Sequence, residues 1–213
     1  MLRCRFFFTI IICLSILAST ISSYADEEIE DLIYIAESNS KIIAIIEGRK
    51  DLSFPLRANE KVLWSGTKGY LGAFLTNARF CVISTSSDSW HVLPLKSGEP
   101  EGIAALSPYM ALMVTGDRAI VFDAESNQFI GTQLPTHDEL LVAETEKYVA
   151  VVITSSRAFG FSTETSAFTE IRLGTKETLE AVKVTSSKAT VRTSDRLLTF
   201  EANGSKWKEH RLY

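Results

Sequence analysis

The chain is poor in the residues that build disulfides and metal sites. Its 213 residues include only three cysteines and three histidines. Two cysteines, Cys4 and Cys13, lie in the first 25 residues, so Cys81 has no partner for a disulfide in the remaining chain. No two histidines have the i, i+2 or i, i+4 spacing of metal ligands; they are His91, His137 and His210. We therefore expect no disulfide framework, no metal site and no cofactor.

Motifs that carry catalysis or nucleotide binding are also missing. The sequence has no Gly-x-Ser-x-Gly motif, no phosphate-binding glycine loop and no dinucleotide fingerprint. The formal net charge is −4, and it becomes −6 if Arg3 and Arg5 are removed with the N-terminal segment. An acidic chain argues against non-specific nucleic-acid binding, which depends on lysine and arginine neutralising phosphates. The sequence therefore predicts no nucleic-acid partner and gives no sign of an enzyme.

The first 25 residues have the pattern of a secretory signal peptide. Arg3 and Arg5 form a short basic segment, and the apolar run Phe6–Leu17 follows it. Ser23 and Ala25 place small side chains at the −3 and −1 positions of a signal-peptidase site. This pattern predicts export to the periplasm or the exterior.

Two other interpretations of this segment are a retained membrane anchor and a lipoprotein. The apolar run is shorter than the roughly 20 residues that a spanning helix needs. The residues before Cys13 match a lipid-attachment box poorly. We therefore predict a signal peptide over residues 1–25 and one domain over 26–213, with no membrane span after cleavage.

An internal repeat of 39 residues organises the remaining chain. Arginine recurs at this spacing at Arg79, Arg118, Arg157 and Arg196. Tyrosine keeps the same spacing nine residues earlier, at Tyr70, Tyr109 and Tyr148. An aromatic column stands eleven residues after the arginines, at Trp90, Phe129, Phe168 and Trp207. Several columns in one register indicate an array of repeated structural units.

Each unit has the composition of four short strands. In the fourth unit we predict strands at residues 139–144, 148–154, 157–161 and 168–173. Aromatic and β-branched residues fill these runs, and Ser, Thr, Asn, Asp and Gly bound them. The second and third strands are apolar on both faces, as in residues 110–114, so we expect each small sheet to be covered on both sides.

The units resemble the blade repeats of WD40-like and YVTN-like propellers. The resemblance is to the broad class, because the Trp-Asp dipeptide does not occur. It implies an all-β protein, a five-bladed β-propeller of four-stranded repeats, whose blades pack face to face around an axis. It carries over a fold and no functional residues.

The first unit is incomplete. Residues 32–37, 41–46 and 52–56 match the second, third and fourth strands of the other units, and no first strand precedes them within the domain. Three arrangements fit this pattern: a three-stranded first blade, an open ring, or a ring completed by a second chain. The last arrangement makes a homo-oligomer one of the expected states.

Two charged columns are the candidate binding face. The four arginines, with Lys41 as a fifth member, would place a ring of cations on one side of a propeller. Acids recur in step, immediately before each first strand, at Glu60, Glu99, Asp138 and Glu177. Such a ring could bind an anionic ligand. The alternative is a set of structural ion pairs, and we favour that alternative because acid and base repeat together.

The expected function is a non-enzymatic binding or scaffolding module. Its partner would be a protein, or a small anionic or glycan ligand. A glycan-binding or glycan-hydrolysing propeller is the alternative, because five-bladed propellers host such enzymes and glycoside hydrolysis needs two carboxylates. The longest irregular connection, residues 96–101, is the first place to look for a partner contact.

Overall fold

The computed structural model describes residues 29–99 and 102–212, which form nineteen strands and, within those ranges, no helix. No helix there is therefore long and apolar enough to cross a membrane. The predicted signal peptide lies outside the described residues, as do positions 100 and 101 of the irregular connection. The all-β prediction is confirmed.

The strands form five antiparallel sheets in chain order. The first sheet contains β1 (Ile33–Glu37), β2 (Lys41–Ile46) and β3 (Leu52–Pro55). The second contains β4 (Val62–Lys68), β5 (Leu71–Thr76), β6 (Arg79–Ser84) and β7 (His91–Pro94). The third contains β8 (Ile103–Leu106), β9 (Met110–Val114), β10 (Arg118–Asp123) and β11 (Gln128–Gln133). The fourth contains β12 (Leu140–Glu146), β13 (Val149–Thr154), β14 (Arg157–Ser162) and β15 (Ala167–Arg172). The fifth contains β16 (Leu179–Thr185), β17 (Lys188–Thr193), β18 (Arg196–Glu201) and β19 (Lys208–Arg211).

Every sheet pairs its strands in the order of the chain, as a meander. The strands predicted in the fourth unit lie within two residues of β12–β15. The columns of the repeat fall at the same place in each sheet, since each arginine begins a third strand. The predicted array of propeller-type blades is thus confirmed at the level of repeated four-stranded sheets.

The middle of the array is buried on both faces. Every residue of β5, β9 and β13 is buried, because each of these strands is covered by a neighbouring sheet on either side. Packing is tight enough that a β-carbon added at Gly160 would lie 2.7 Å from the Phe200 ring of the next sheet. Glycine in β14 therefore allows the fourth and fifth sheets to approach closely.

The two terminal sheets have one covered face each. In β17 buried residues alternate with exposed ones such as Lys188 and Arg192, and β2 shows the same alternation. The prediction that each small sheet is covered on both sides is therefore wrong for these two sheets. β1 packs against β4 and β5, so it stands at the second-strand position of its sheet. Within the described residues the first sheet has three strands, and the five sheets are not closed into a ring.

Candidate functional site

The meander gives the array two opposite faces with different chemistry. The turns between second and third strands, such as that between β5 and β6, share one side with the connections between sheets; we call this the clamp face. The turns between first and second strands, such as that between β4 and β5, share the other side with those between third and fourth strands. We call this the groove face. The predicted charged columns lie on the clamp face, and the tyrosine column lies on the groove face.

On the clamp face, Arg118 is bonded to protein groups through its Nε and its Nη2. Its Nε donates to Glu99 Oε1 at 2.6 Å, and its Nη2 donates to Oε2 at 2.8 Å. Thr115 Oγ1 and the Lys96 N–H donate to the same carboxylate at 2.8 Å and 2.7 Å. Arg118 Nη2 also lies 3.3 Å from the carbonyl oxygen of Pro94, in the preceding sheet. We call this arrangement of arginine, glutamate and threonine a clamp.

The clamp recurs in the second and fifth sheets. Each has a bidentate arginine–glutamate pair, a threonine donor, a main-chain donor and a carbonyl acceptor from the preceding sheet. The members are Arg79, Glu60, Thr76, Arg57 and Pro55 in the second sheet, and Arg196, Glu177, Thr193, Gly174 and Arg172 in the fifth. The three glutamate side chains are at most 2% exposed. Each clamp therefore contains a largely buried ion pair, and its arginine also bonds to a carbonyl of the preceding sheet.

The fourth sheet departs from the pattern. Asp138 accepts hydrogen bonds from Thr154 and Ser156, while Arg157 Nη1 binds Glu170 at 2.8 Å. Two features of the sequence account for this. Aspartate is one methylene shorter than glutamate, and Pro135 stands where the other clamps supply a main-chain N–H, which proline lacks.

The clamp carboxylates are held ionised. Burial alone would raise the pKa of Glu60, Glu99 and Glu177, because a low-dielectric site disfavours the charged form. Hydrogen bonds from the arginine, the main chain and the threonine outweigh burial and lower the pKa of each to about 2. The clamps are therefore charged and satisfied throughout the physiological pH range.

The arginines and the acids of the two predicted binding columns therefore bond mostly to one another. Lys41, the fifth member of the cation column, is exposed at the start of β2, where its main chain is bonded to Ser38. Ligand binding by this face stays a prediction, while the structural alternative now has defined contacts. The sequence analysis missed one column, the threonines three residues before each arginine. The 39-residue spacing contains them at Thr76, Thr115, Thr154 and Thr193.

On the groove face, the tyrosine column forms a stacked row across three sheets. The ring centroids of Tyr70 and Tyr109 lie 5.3 Å apart, and those of Tyr109 and Tyr148 lie 5.1 Å apart with planes only 13° from parallel. Gly69, with φ +56°, precedes the first tyrosine, and a β-carbon there would lie 2.8 Å from Pro108 Cβ. Glycine lets these two turns approach, so the tyrosines they carry can meet.

A cavity of about 350 Å³ lies beside this row, and we call it the tyrosine groove. Its size is that of a small-ligand site. The row forms one wall, and residues that follow the third strands form the other. The lining residues are Tyr70, Tyr109 and Tyr148, then Ser84, Thr85, Ser86, Ala124, Glu125 and Thr163. Three sheets contribute to each wall, so an occupant would contact all three at once.

Main-chain amides along the groove are used within the protein. Those of the outer wall donate to tyrosine carbonyl oxygens, Thr85 to Tyr70 at 3.0 Å, Ala124 to Tyr109 at 3.0 Å and Thr163 to Tyr148 at 3.2 Å. The amides of the end tyrosines donate to the next turn, Tyr70 to Pro108 at 3.4 Å and Tyr148 to Ser186 at 3.0 Å. Hydrogen bonds to an occupant would therefore come mainly from side chains.

Bonds between sheets fix the outer wall. Asn127 and Ser166 occupy positive-φ positions in successive turns, at 53° and 47°. Ser84 donates to Asn127 Oδ1 at 3.0 Å. The buried carboxylate of Asp123 accepts from Ser166 Oγ at 2.9 Å and from the N–H of Glu125 at 3.0 Å. Each turn is therefore tied to the sheet before it, so the wall is preorganised.

The groove is close to neutral. Glu125 is the single charged side chain among its nine lining residues. Burial raises the pKa of Tyr109, and its neighbour Tyr148 raises it further, while a hydrogen bond with Tyr70 has the opposite effect. At one end of the row, Lys147 Nζ lies 5.6 Å from the centre of the Tyr148 ring. The three phenols therefore form one hydrogen-bonded row.

Other reactive groups lie in the interior. Cys81 is fully buried, and burial raises its pKa to about 12. His91 Nε2 lies 2.9 Å from Ser87 Oγ, and burial lowers its pKa. Across residues 29–99 and 102–212, no three His, Cys, Asp or Glu side chains are grouped so as to hold a metal ion.

Comparisons with known proteins find similarity in structure alone. No family profile matches the chain, and no characterised protein matches it by sequence. The N-terminal domain of Nup159 aligns at 7% identity and a TM-score of 0.40, over 86% of this chain and 59% of that one. Hsv2 of Kluyveromyces lactis aligns at 10% identity and a TM-score of 0.43, over 85% of this chain and 61% of that one. PorZ of Porphyromonas gingivalis aligns at 10% identity and a TM-score of 0.43, over 90% of this chain and 27% of that one. This chain thus spans less than two thirds of each of these proteins.

Proposed function

We propose that this protein is an exported, non-enzymatic binding module that holds its ligand in the tyrosine groove. The scaffold is a five-bladed propeller-type array with an incomplete first blade. The observation that carries the proposal is the groove itself, a near-neutral cavity to which three consecutive sheets each contribute a tyrosine. A ligand there would contact all three sheets along its length.

The contrast with the clamp face supports this choice of site. The arginines of the clamps already have carboxylate and carbonyl partners, and an anionic ligand would have to displace them. Removing one partner from a buried ion pair costs about 3–5 kcal/mol. The tyrosine edges border open space, so a ligand would displace only water.

Export and the absence of catalysis are parts of the same proposal. The basic and apolar pattern of residues 1–25 supports export. The glycan-hydrolysing alternative needs two carboxylates facing one site. The groove supplies one, Glu125, and the glutamates of the clamps are engaged on the opposite face. These observations favour binding over hydrolysis.

A protein partner is the second candidate, and the first sheet favours it. Tyr34 is 64% exposed and pairs directly with Ile45, which is 43% exposed, on the face that no other sheet covers. Light scattering coupled to size exclusion tests this candidate. A dimer that Ile45→Lys converts to a monomer would support it, and a wild-type monomer would speak against self-association.

The main proposal is tested by binding to a panel of probes of three classes: neutral oligosaccharides, acidic oligosaccharides and extended peptides. Tyr109→Ala removes the middle of the row. Tyr34→Ala is the matched control, because it removes an exposed tyrosine of β1 that does not line the groove. Thermal unfolding of both variants shows that they are folded.

We expect at least one probe to bind the wild type and Tyr34→Ala equally, and to bind Tyr109→Ala about tenfold more weakly. A tenfold change corresponds to the loss of about 1.4 kcal/mol, within the range of one aromatic contact. If every probe that binds also binds folded Tyr109→Ala with unchanged affinity, the groove is not the site. The same conclusion follows if no probe of the three classes binds.

A further inference from the structure

We infer that the ligand of the tyrosine groove is an uncharged oligosaccharide, lying across the second, third and fourth sheets. This inference rests on the proposed function and names the ligand class. It depends on three properties of the groove: which hydrogen-bonding groups its walls offer, what charge they carry, and how often they repeat.

The hydrogen-bonding groups argue against an extended peptide. Peptides held in extended form are recognised largely through main-chain hydrogen bonds along a strand edge. The groove crosses the ends of strands, and its amides at Thr85, Ala124 and Thr163 already donate to the tyrosine carbonyls. A peptide would leave its own amides and carbonyls without main-chain partners there.

The charge argues against an acidic sugar or a phosphorylated ligand. Recognition of such anions uses arginine or lysine, often in bidentate geometry. None of the nine lining residues is cationic, and Glu125 places a negative charge at the outer wall. The arginines that could bind an anion are in the clamps on the opposite face. The lining itself therefore offers an anion no arginine or lysine, and Lys147 Nζ lies at the end of the row, 5.6 Å from the centre of the Tyr148 ring.

The wall chemistry matches a chain of hydroxyl groups. Tyrosine, serine and threonine hydroxyls each offer one donor and two acceptor positions, and a carboxylate offers acceptors alone. Sugar hydroxyls also act as both donor and acceptor, so the hydroxyls of the ligand and of the wall can form hydrogen bonds with each other. Because the tyrosine rings lie against one another, their edges rather than their faces border the cavity, and these edges add apolar surface for the C–H groups of a pyranose next to a polar hydroxyl.

The repetition of the walls indicates an oligomer. Three sheets each place a tyrosine in the row, and the ring centroids of neighbouring tyrosines lie 5.3 Å and 5.1 Å apart. In the second and fourth sheets, a serine or threonine lies on the opposite wall. A ligand with repeating units can make the same contact more than once, and each contact adds to affinity. The row ends after Tyr148, because the fifth sheet has Ser187 at the next position. The structure therefore limits the number of sugar units that tyrosine contacts.

The test measures dissociation constants by calorimetry for neutral sugars from two to six units long. The probes are β-1,4-linked glucose, β-1,4-linked N-acetylglucosamine, α-1,4-linked glucose and β-1,3-linked glucose. A hexamer of an acidic sugar and an extended peptide serve as competitors. The proteins are the wild type, Tyr148→Ala, Tyr148→Phe and the control Tyr34→Ala.

We expect at least one neutral series to tighten with length and then level off. Tyr148→Ala should weaken the longest sugars about tenfold and leave the disaccharide nearly unchanged, because it shortens the row at one end. Tyr148→Phe should restore part of the loss through its ring. Tyr34→Ala should bind like the wild type.

The inference is overturned if the probe whose binding depends on the groove is the peptide or the acidic hexamer while the neutral sugars fail to bind. In that case the proposed site stands and the ligand class is wrong. It is also overturned if neutral sugars bind without any dependence on Tyr109 or Tyr148. That second outcome rejects the site together with its ligand.

Discussion

The two faces of this molecule are built from the same repeat, yet their polar groups are used in opposite ways. On the clamp face, the groups of each repeat satisfy one another, so that Arg118 and Glu99 meet a full set of partners inside the protein. On the groove face, main-chain groups are satisfied while the tyrosine edges border a cavity. A column of charged residues is conspicuous in the sequence, but repetition by itself does not distinguish a structural contact from a binding surface.

The distinction lies in what would have to be displaced. A ligand at a clamp competes with buried ion pairs, and a ligand at the groove competes with water. The clamp face is therefore expected to govern stability and the groove face to govern binding. Variants on the two faces separate these two roles.

The largest effect is expected from breaking one clamp. Glu99→Ala leaves the buried guanidinium of Arg118 without its counter-ion, and Thr115 loses its acceptor. We expect the free energy of unfolding to fall by about 3–5 kcal/mol, measured by urea denaturation. Glu170→Ala is the matched control, since that carboxylate is 46% exposed and its bond to Arg157 is worth about 0–1 kcal/mol. Equal losses in the two variants would remove the difference between a clamp and a surface pair.

Acid should weaken the clamp face in a defined window. In the folded protein the pKa of Glu99 is about 2, against an ordinary value of 4.5, so the unfolded chain binds more protons between these values. The stabilisation is therefore complete above about pH 4.5 and is lost as the pH falls towards 2. Denaturation midpoints across this range should fall less steeply for Glu99→Gln than for the wild type. Parallel curves would mean that this carboxylate does not carry the pH dependence.

The fourth sheet allows the opposite experiment, in which a clamp is completed. Asp138→Glu lengthens the acid, and Pro135→Lys restores the main-chain N–H that Lys96 supplies in the third sheet. Together they should let Arg157 form the bidentate pair and raise the free energy of unfolding by about 1 kcal/mol. Asp138→Glu alone is the control and should gain less. If the double variant is no more stable than the wild type, the shorter acid and the proline are not what prevents the fourth clamp.

Much of this architecture can be predicted from the sequence, because short strands and turn residues repeat in one register. The three strands of the first sheet follow from the same register, since Lys41 takes the arginine position and, from residue 29 on, one strand precedes it. The polar outer face of the fifth sheet could also have been predicted, because Lys188 and Arg192 alternate with buried residues. The middle strands, which are apolar on both faces, are therefore not typical of the fifth unit.

The groove could not be predicted, although its tyrosine column was found. The spacing of Tyr70, Tyr109 and Tyr148 gives equal positions in successive sheets, but it does not give the distance between sheets. That distance depends on packing such as the approach of Gly69 to Pro108. The clamps show the same limit, since periodic acids and bases cannot tell which of them are close enough to bond.

The smallest effect on stability, and the most specific to the groove face, is expected from Tyr109→Phe. The ring remains in the stack while its hydroxyl is lost, so unfolding should change by no more than about 1 kcal/mol. Burial and the neighbouring Tyr148 raise the pKa of Tyr109, so its phenolate should form at higher pH than that of an exposed tyrosine. Spectrophotometric titration of the variant should therefore lack the wild-type component that titrates above the ordinary tyrosine range near pH 10. If Tyr109→Phe removes a component at or below pH 10 instead, the hydroxyl row is open to solvent and cannot hold a ligand in fixed register.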